Sequence, residues 1–314
     1  MNTFEQHQGF RTMFQENKLT LGLFFPIEGY KGSVPEMDLV KQMALAKQAD
    51  EAHFASLFVR DIPLFDPEFG DVGQIYDPWV YLGYLAAQTK RIALATGSIV
   101  TTVRHPLHVA KAAASIDKLS HNRLVLGIAT GDRPIEFNAF SVNKAERSEL
   151  FRESLRVIRR AWAEEFPTIQ ASNVNLTDAD VLPKPSSMDI PTLITGHSGQ
   201  TREWIAKNGD GWLFYPRDLF IQELLIKEYR THTKEFKPFA QSLFIDLSEN
   251  PNEPPTGIPL GFRTGRNFLI NHLHELRAIG VNHVAFTLKL ATRPVEEIVQ
   301  ELAEEVVPHF PAHR

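Results

Sequence analysis

"RIALATGSIVTTVRHPLHVAKAAASIDKLSHNRLVLGIAT", residues 91–130, decides the fold. Its ends, "RIALATGSIV" (91–100) and "RLVLGIAT" (123–130), are short aliphatic runs that read as strands. Between them "HPLHVAKAAASIDKLS" opens on Pro106, a good first-turn residue, and reads as a helix. Strand, helix and strand in this order describe two parallel strands joined by a helical crossover.

The same alternation continues outward in both directions. "LTLGLFFP" (19–26) and "ASLFVRD" (55–61) precede the unit, and "DPWVYLGYLAAQTK" starts a helix on Asp77 and Pro78. "PTLITGHS" (191–198), "GWLFYPR" (211–217), "FAQSLFIDL" (239–247) and "VNHVAFTLKL" (281–290) follow it. Phe151, Leu155, Ile158 and Trp162 share one helix face, as do Leu269, Leu273, Leu276 and Ile279, and Val295, Ile298, Leu302 and Val306. Eight strands, each followed by a helix, predict a closed α/β (β/α)8 TIM barrel. An open doubly wound sheet is the rival. No G-x-G-x-x-G follows the first strand, where "FFPIEGYKGSVP" makes an irregular loop, and no change of composition divides the chain. One barrel domain is therefore expected over 1–314, with 1–18 a helical extension whose Phe10, Met13 and Phe14 pack on the barrel or on a neighbouring subunit. Two segments exceed the minimal repeat: 167–190 after the fourth helix and 248–264 after the seventh strand. Both read as insertions, either binding loops or solvated excursions.

A chain of 314 residues with 43% hydrophobic content can bury a large core. A net charge of −5 without a basic stripe argues against nucleic acid as a partner. The absence of cysteine excludes disulfides, thiolate metal sites and a cysteine nucleophile. No apolar run approaches the ~20 residues of a membrane span, and the first eighteen residues lack a signal-peptide run, so a cytoplasmic protein without membrane contact is expected. His105 and His108 are three apart, but no third ligand and no H-E-x-x-H accompany them, so no metal is expected.

Barrel chemistry sits where the strands end. "PTLITGHSGQTREWIAKNG" (191–209) passes from strand to helix through Gly196, His197, Ser198, Gly199, Gln200 and Thr201. Unpaired N–H groups, glycines and hydroxyls suit a phosphate there; a hydroxyl cap on a glycine turn is the alternative. Gly97 and Ser98 interrupt a strand that otherwise reads as buried, marking a bulge or a close approach to the backbone. Thr130, Gly131 and Asp132 form a third small, polar strand end.

Taken together, "YDPWVYLGYLAAQTKRIALATGSIVTTVRHPLHVAKAAASIDKLSHNRLVLGIATGDRPIEF" and "PTLITGHSGQTREWIAKNGDGWLF" resemble the bacterial luciferase-like flavin-dependent monooxygenases, over about residues 19–305. The resemblance implies a barrel that binds FMN, usually received reduced from a separate NAD(P)H flavin reductase, and a homodimer. Gly97 and Ser98 match the pair whose non-proline cis peptide makes a bulge behind the flavin ring. Ser198 and Thr201 match hydroxyls that hold the flavin phosphate, with Gly199 and Gln200 offering N–H groups between them. Thr130 stands where luciferase carries an arginine to the phosphate; Arg263 and Arg266 are candidate replacements or solvated surface residues. His197 either touches the flavin or caps and packs the turn. At the end of strand two, where luciferase has a histidine, this chain has Asp61 preceded by Arg60, so light-emitting aldehyde oxidation is not expected. Asp61 and Arg60 are the catalytic candidates, with Asp61 accepting a proton or orienting a substrate cation; positioning of the loop is the alternative. The expectation is an FMN-dependent oxidoreductase or monooxygenase using reduced flavin and O2 on a small organic substrate. The alternatives are a deazaflavin-dependent reductase, a flavin-binding protein without turnover, and a sugar-phosphate barrel enzyme with no flavin affinity.

Overall fold

The computed structural model describes residues 4–27, 38–66, 68 and 76–313. The first part of the chain forms α1 (Gln8–Met13), β1 (Thr20–Phe25), α2 (Leu39–Glu51), β2 (Ser56–Val59), α3 (Pro78–Gln88), β3 (Ala93–Thr96), β4 (Ile99–Val100) and α4 (Pro106–Leu119). The middle forms β5 (Leu124–Ala129), α5 (Pro134–Ala139), α6 (Arg147–Ala163), β6 (Ile169–Ala171), β7 (Val174–Leu176), β8 (Thr192–Thr195), α7 (Arg202–Asn208), β9 (Gly211–Phe214) and α8 (Leu219–Thr231). β10 (Phe239–Leu247), β11 (Thr256–Ile258), β12 (Gly261–Thr264), α9 (Arg266–Ala278), β13 (His283–Thr287) and α10 (Val295–Glu301) complete it.

Among the described residues, eight parallel strands pair in the circular order β1, β2, β3, β5, β8, β9, β10, β13 and back to β1, closing the barrel. Each expected strand is present, with one change. The third is divided: β3 stops at Thr96, and β4 resumes at Ile99 and pairs only with β5. The residues from 28 to 37, in the loop expected after the first strand, and residues 1–3 of the extension lie outside the described set. Both insertions carry β-structure. The segment after α6 contains the antiparallel hairpin β6–β7, and the segment after β10 forms β11–β12, whose second strand extends the sheet beside β10. No helix among the described residues is long and apolar enough to cross a membrane.

Strand alternation sorts the core into two shells. Leu21, Leu23, Phe25, Leu57, Val59, Leu124 and Leu126 face the helices, whereas Phe24, Ala55, Phe58, Ala93, Ala95, Ala240 and Ala285 fill the barrel. The many alanines leave space at the start of the strands, and α1 occupies it. Phe4, Phe10, Met13 and Phe14 join the inner cluster, Gly9 N–H donates to the Asn122 carbonyl just before β5, and Thr20 Oγ1 donates to the Met13 carbonyl at 2.6 Å. The extension thus plugs the barrel's N-terminal end, on its own chain, and leaves the opposite end open for a site.

Candidate functional site

A cavity of about 640 Å³ occupies the C-terminal mouth of the barrel, within the range usual for cofactor sites. Its floor is the break in the third strand. The Gly97–Ser98 peptide is cis. A Cβ built on Gly97 would lie 2.8 Å from the Phe24 ring and 3.0 Å from that of Phe58, so the inner aromatic layer requires glycine here. Gly97 N–H donates to the Val59 carbonyl at 2.8 Å, and the Ser98 hydroxyl contacts that of Thr195 at the end of β8. The floor of the cavity is thus hydrogen-bonded to the end of β8, from which the polar turn leaves.

That turn, 196–201, is built by left-handed backbone at Gly196, Ser198 and Gly199 (φ 58°, 46° and 67°). Gly199 must also lack a side chain, because its Cβ would come within 1.9 Å of Ser148 Oγ. Trp212 Nε1 donates to the Gly196 carbonyl at 2.6 Å and Gln200 Nε2 to the Ser148 carbonyl at 2.9 Å, fastening the turn to β9 and to α6. The backbone N–H groups of His197, Ser198 and Gly199 have no acceptor among the described residues. The hydroxyls are more committed. Ser198 Oγ donates to the Thr195 carbonyl at 2.7 Å, and Thr201 Oγ1 accepts Trp204 N–H at 3.2 Å as the cap of α7. Helix α7 has only 7 residues, so the donors here are individual N–H groups rather than a long helix dipole.

Gly97, Ser98, Thr130, Gly196, His197 and Ser198 line the cavity, as do Arg60 and Asp61; Gly199, Gln200 and Thr201 do not. Asp61 is not a free carboxylate. Oδ2 accepts Arg104 Nε at 2.7 Å and Val100 N–H at 3.1 Å, and Oδ1 accepts Arg104 Nη2 at 2.8 Å. Arg104 reaches further, to Asp77 at 2.9 Å, whose other oxygen caps α3. Burial works against the Arg104 charge, but Asp61 and Asp77 outweigh it and hold the group above arginine's ordinary value.

The two arginines that are candidates to replace the cation missing at Thr130 lie elsewhere. Arg263 binds Asp246 at 2.7 Å and Glu253 at 2.9 Å, Arg266 binds Glu301 at 2.9 Å, and neither lines the cavity. They hold the β11–β12 insertion and α9 in place. Two other arginines do line it: Arg133, buried just after β5, and Arg217, just after β9. Since β8 lies between β5 and β9, they come from the strands on either side of the polar turn. Arg217 stands 5.6 Å from the centre of the Phe214 ring. Burial, and then the charges of Arg202 and Arg217, hold the His197 imidazole below its ordinary value. Reading every strand end for cations would have found Arg217, since "GWLFYPR" ends on it. Near Arg133, burial pushes the Glu136 carboxyl up to about 7, and its Oε1 has no hydrogen-bond partner. His105 and His108 are away from this cavity, in the groove between α3 and α4, and His105 Nε2 meets the Asn173 carbonyl at 3.0 Å.

Residues 19–247 match the family model described as luciferase-like monooxygenase. An uncharacterized protein of Mycobacterium tuberculosis is 36% identical over 149 residues, covering 47% of this chain and 52% of the relative. The F420-dependent glucose-6-phosphate dehydrogenase of Kineococcus radiotolerans is 31% identical over 204 residues, 63% of this chain and 59% of that protein. The chain thus spans between about half and three fifths of the length of these relatives. Among solved structures, monooxygenase RslO1 from Streptomyces bottropensis superposes with a TM-score of 0.78 at 20% identity, covering 93% of this chain and 99% of that one, a likeness of fold. With the closed barrel described and the family model matched over most of its length, the chain belongs to the luciferase-like monooxygenase family.

Proposed function

We propose that the chain is an oxidoreductase that holds FMN across the barrel mouth and acts, with reduced flavin and O2, on a small organic substrate. The observation that carries this reading is one cavity joining a floor without a side chain at Gly97 to a turn whose cavity-lining His197 and Ser198 N–H groups lack acceptors among the described residues. The donor set fits the group. A planar ring needs a flat backbone that it can approach closely, and a phosphate needs several N–H donors and gains from a cation such as Arg217.

Gly97, Ser98 and Thr130 would lie along the ring, and the His197 and Ser198 N–H groups with Arg217 would hold the phosphate. Gln200 and Thr201 serve behind them, the first by tying the turn to α6 and the second by capping α7. When bound, the flavin supplies two-electron transfer and oxygen activation. The chain supplies position and dryness: Phe24, Leu213, Phe214, Phe244 and Leu260 form an apolar wall around the remaining space. His197, held neutral near pH 7, offers one donor and one acceptor at the rim. A transient reductase partner, a homodimeric assembly and a cytoplasmic setting belong to the same reading.

A deazaflavin is the second reading. The named F420-dependent relative favours it, and so do the two arginines from the strands flanking the turn, which suit a longer acidic tail. Titrating the purified protein with FMN and with the deazaflavin, followed by fluorescence, separates the two. A tenfold or greater preference names the cofactor, and binding of neither overturns both readings.

A further inference from the structure

The division of the third strand leaves a gap in the sheet. Up to Thr96 the strand is paired with β2, through Val59. Beyond the Gly97–Ser98 peptide, β4 pairs with β5 alone, because β2 has already ended. Val100 N–H therefore points to where a strand carbonyl is missing, and Asp61, two residues past the end of β2, supplies a carboxylate oxygen instead. An aspartate side chain has more torsional freedom than a strand backbone, so it substitutes for a ladder bond only if something fixes it. Arg104 does so with a two-pronged contact that engages both oxygens, and is itself held by Asp77.

We propose that Arg104, which does not line the cavity, is a positioning residue: by fixing Asp61 it holds the 97–100 segment as the seat for the ligand's ring. On this assignment Asp61 is the anchor of the floor, its two oxygens already accepting three hydrogen bonds. The arginine fork is required. A lysine at 104 would keep the charge but could not span both oxygens in one plane. The inference rests on the flavin reading only in naming the ring; the fixing of the floor is a property of the free protein.

The test is hydrogen exchange, by mass spectrometry, of peptides covering 97–101 in the free protein, for wild type, Arg104→Met and Arg104→Lys. Exchange at least tenfold faster is expected in Arg104→Met, with peptides of β9 and β10 unchanged and Arg104→Lys in between. FMN or deazaflavin should then bind Arg104→Met at least tenfold more weakly, with an altered visible circular dichroism band, because the ring sits differently. Exchange within twofold of wild type in both variants overturns the proposal, and so does faster exchange with affinity and dichroism retained. If Arg104→Met does not fold, Arg104→Lys decides by the same criteria. Should wild type bind neither cofactor, the flavin reading fails, and the exchange comparison alone decides whether Arg104 holds the floor.

Discussion

Arg104 grips Asp61 through Nε and Nη2 at 2.7 and 2.8 Å, and the same carboxylate accepts the Val100 N–H, so an ion pair completes the cavity floor where a strand has run out. Removing the anion leaves the Val100 amide without an acceptor and the Arg104 cation with Asp77 alone. Asp61→Ala should destabilise the fold by ~2–3 kcal/mol, below the 3–5 typical of a broken buried pair because Arg104 is 23% exposed and keeps Asp77. Urea unfolding reads this directly; a loss under about 0.5 kcal/mol, the range of ordinary surface substitutions, contradicts it.

Gly97→Ala tests the floor from below. The added methyl meets the Phe24 and Phe58 rings at 2.8 and 3.0 Å, and overpacking of this kind costs about 1–3 kcal/mol. Flavin binding should weaken at least tenfold as the floor rises. A variant of unchanged melting temperature and affinity refutes the assignment.

Arg217→Gln should weaken the bound cofactor's phosphate contact by ~1.5–3 kcal/mol, roughly 10- to 150-fold, with little change in stability, since the side chain rests on Phe214 at the rim. Thr201→Ala should do the reverse, removing a helix cap worth about 0.5–2 kcal/mol and leaving affinity nearly intact. Isothermal titration paired with thermal melts distinguishes them, and an exchange of these two phenotypes would return the phosphate contact to the Thr201 hydroxyl.

Arg263→Ala should lower the melting temperature, because Asp246 and Glu253 lose their shared partner, while cofactor affinity stays within twofold. A larger affinity loss would bring this arginine back to the phosphate.

Two buried groups oppose each other with pH. His283, inside the barrel, is pushed down to about 3 by burial from an ordinary 6.5. Thr20 donates its hydrogen to the Met13 carbonyl, so His283 must donate from Nδ1 to Thr20 and accept from Ser56 at Nε2, as a neutral ring. Below pH 6.5 the unfolded chain takes up a proton that the native state refuses, and stability falls with pH by up to about 1.4 kcal/mol per unit. Glu136, raised to about 7 from 4.5, binds a proton first in the native state, so its contribution is present at low pH and lost as pH rises from 4.5 through 7. Glu136→Gln should therefore gain stability on wild type at pH 8 compared with pH 4.5. Parallel urea curves for the two proteins across that range would dismiss the Glu136 effect.

The strands were legible because a parallel barrel buries each of them on both faces, leaving continuous aliphatic runs such as "RLVLGIAT" and "FAQSLFIDL" between amphipathic helices. The turn at 196–201 was legible as well, since left-handed backbone selects glycine and small polar residues. The partners of charged side chains were not. In the chain order Arg104 is 43 residues from Asp61, and Arg263 is 17 from Asp246, and no local pattern couples such pairs.

Amino-acid order by itself determined the eight-fold alternation and the glycine interruption of the third strand, because both depend on near-neighbour periodicity and backbone sterics, and its motifs carried the resemblance to the family. Only closure of the barrel decided which charges meet. It spent Asp61 on Arg104, withdrew Arg263 and Arg266 into ion pairs, brought Arg133 and Arg217 to the cavity and turned the N-terminal aromatics inward as a plug. The physical reason is range: hydrophobic period is written within one element, whereas an ionic partner is chosen by distances across the mouth that exist only once all eight strands are paired.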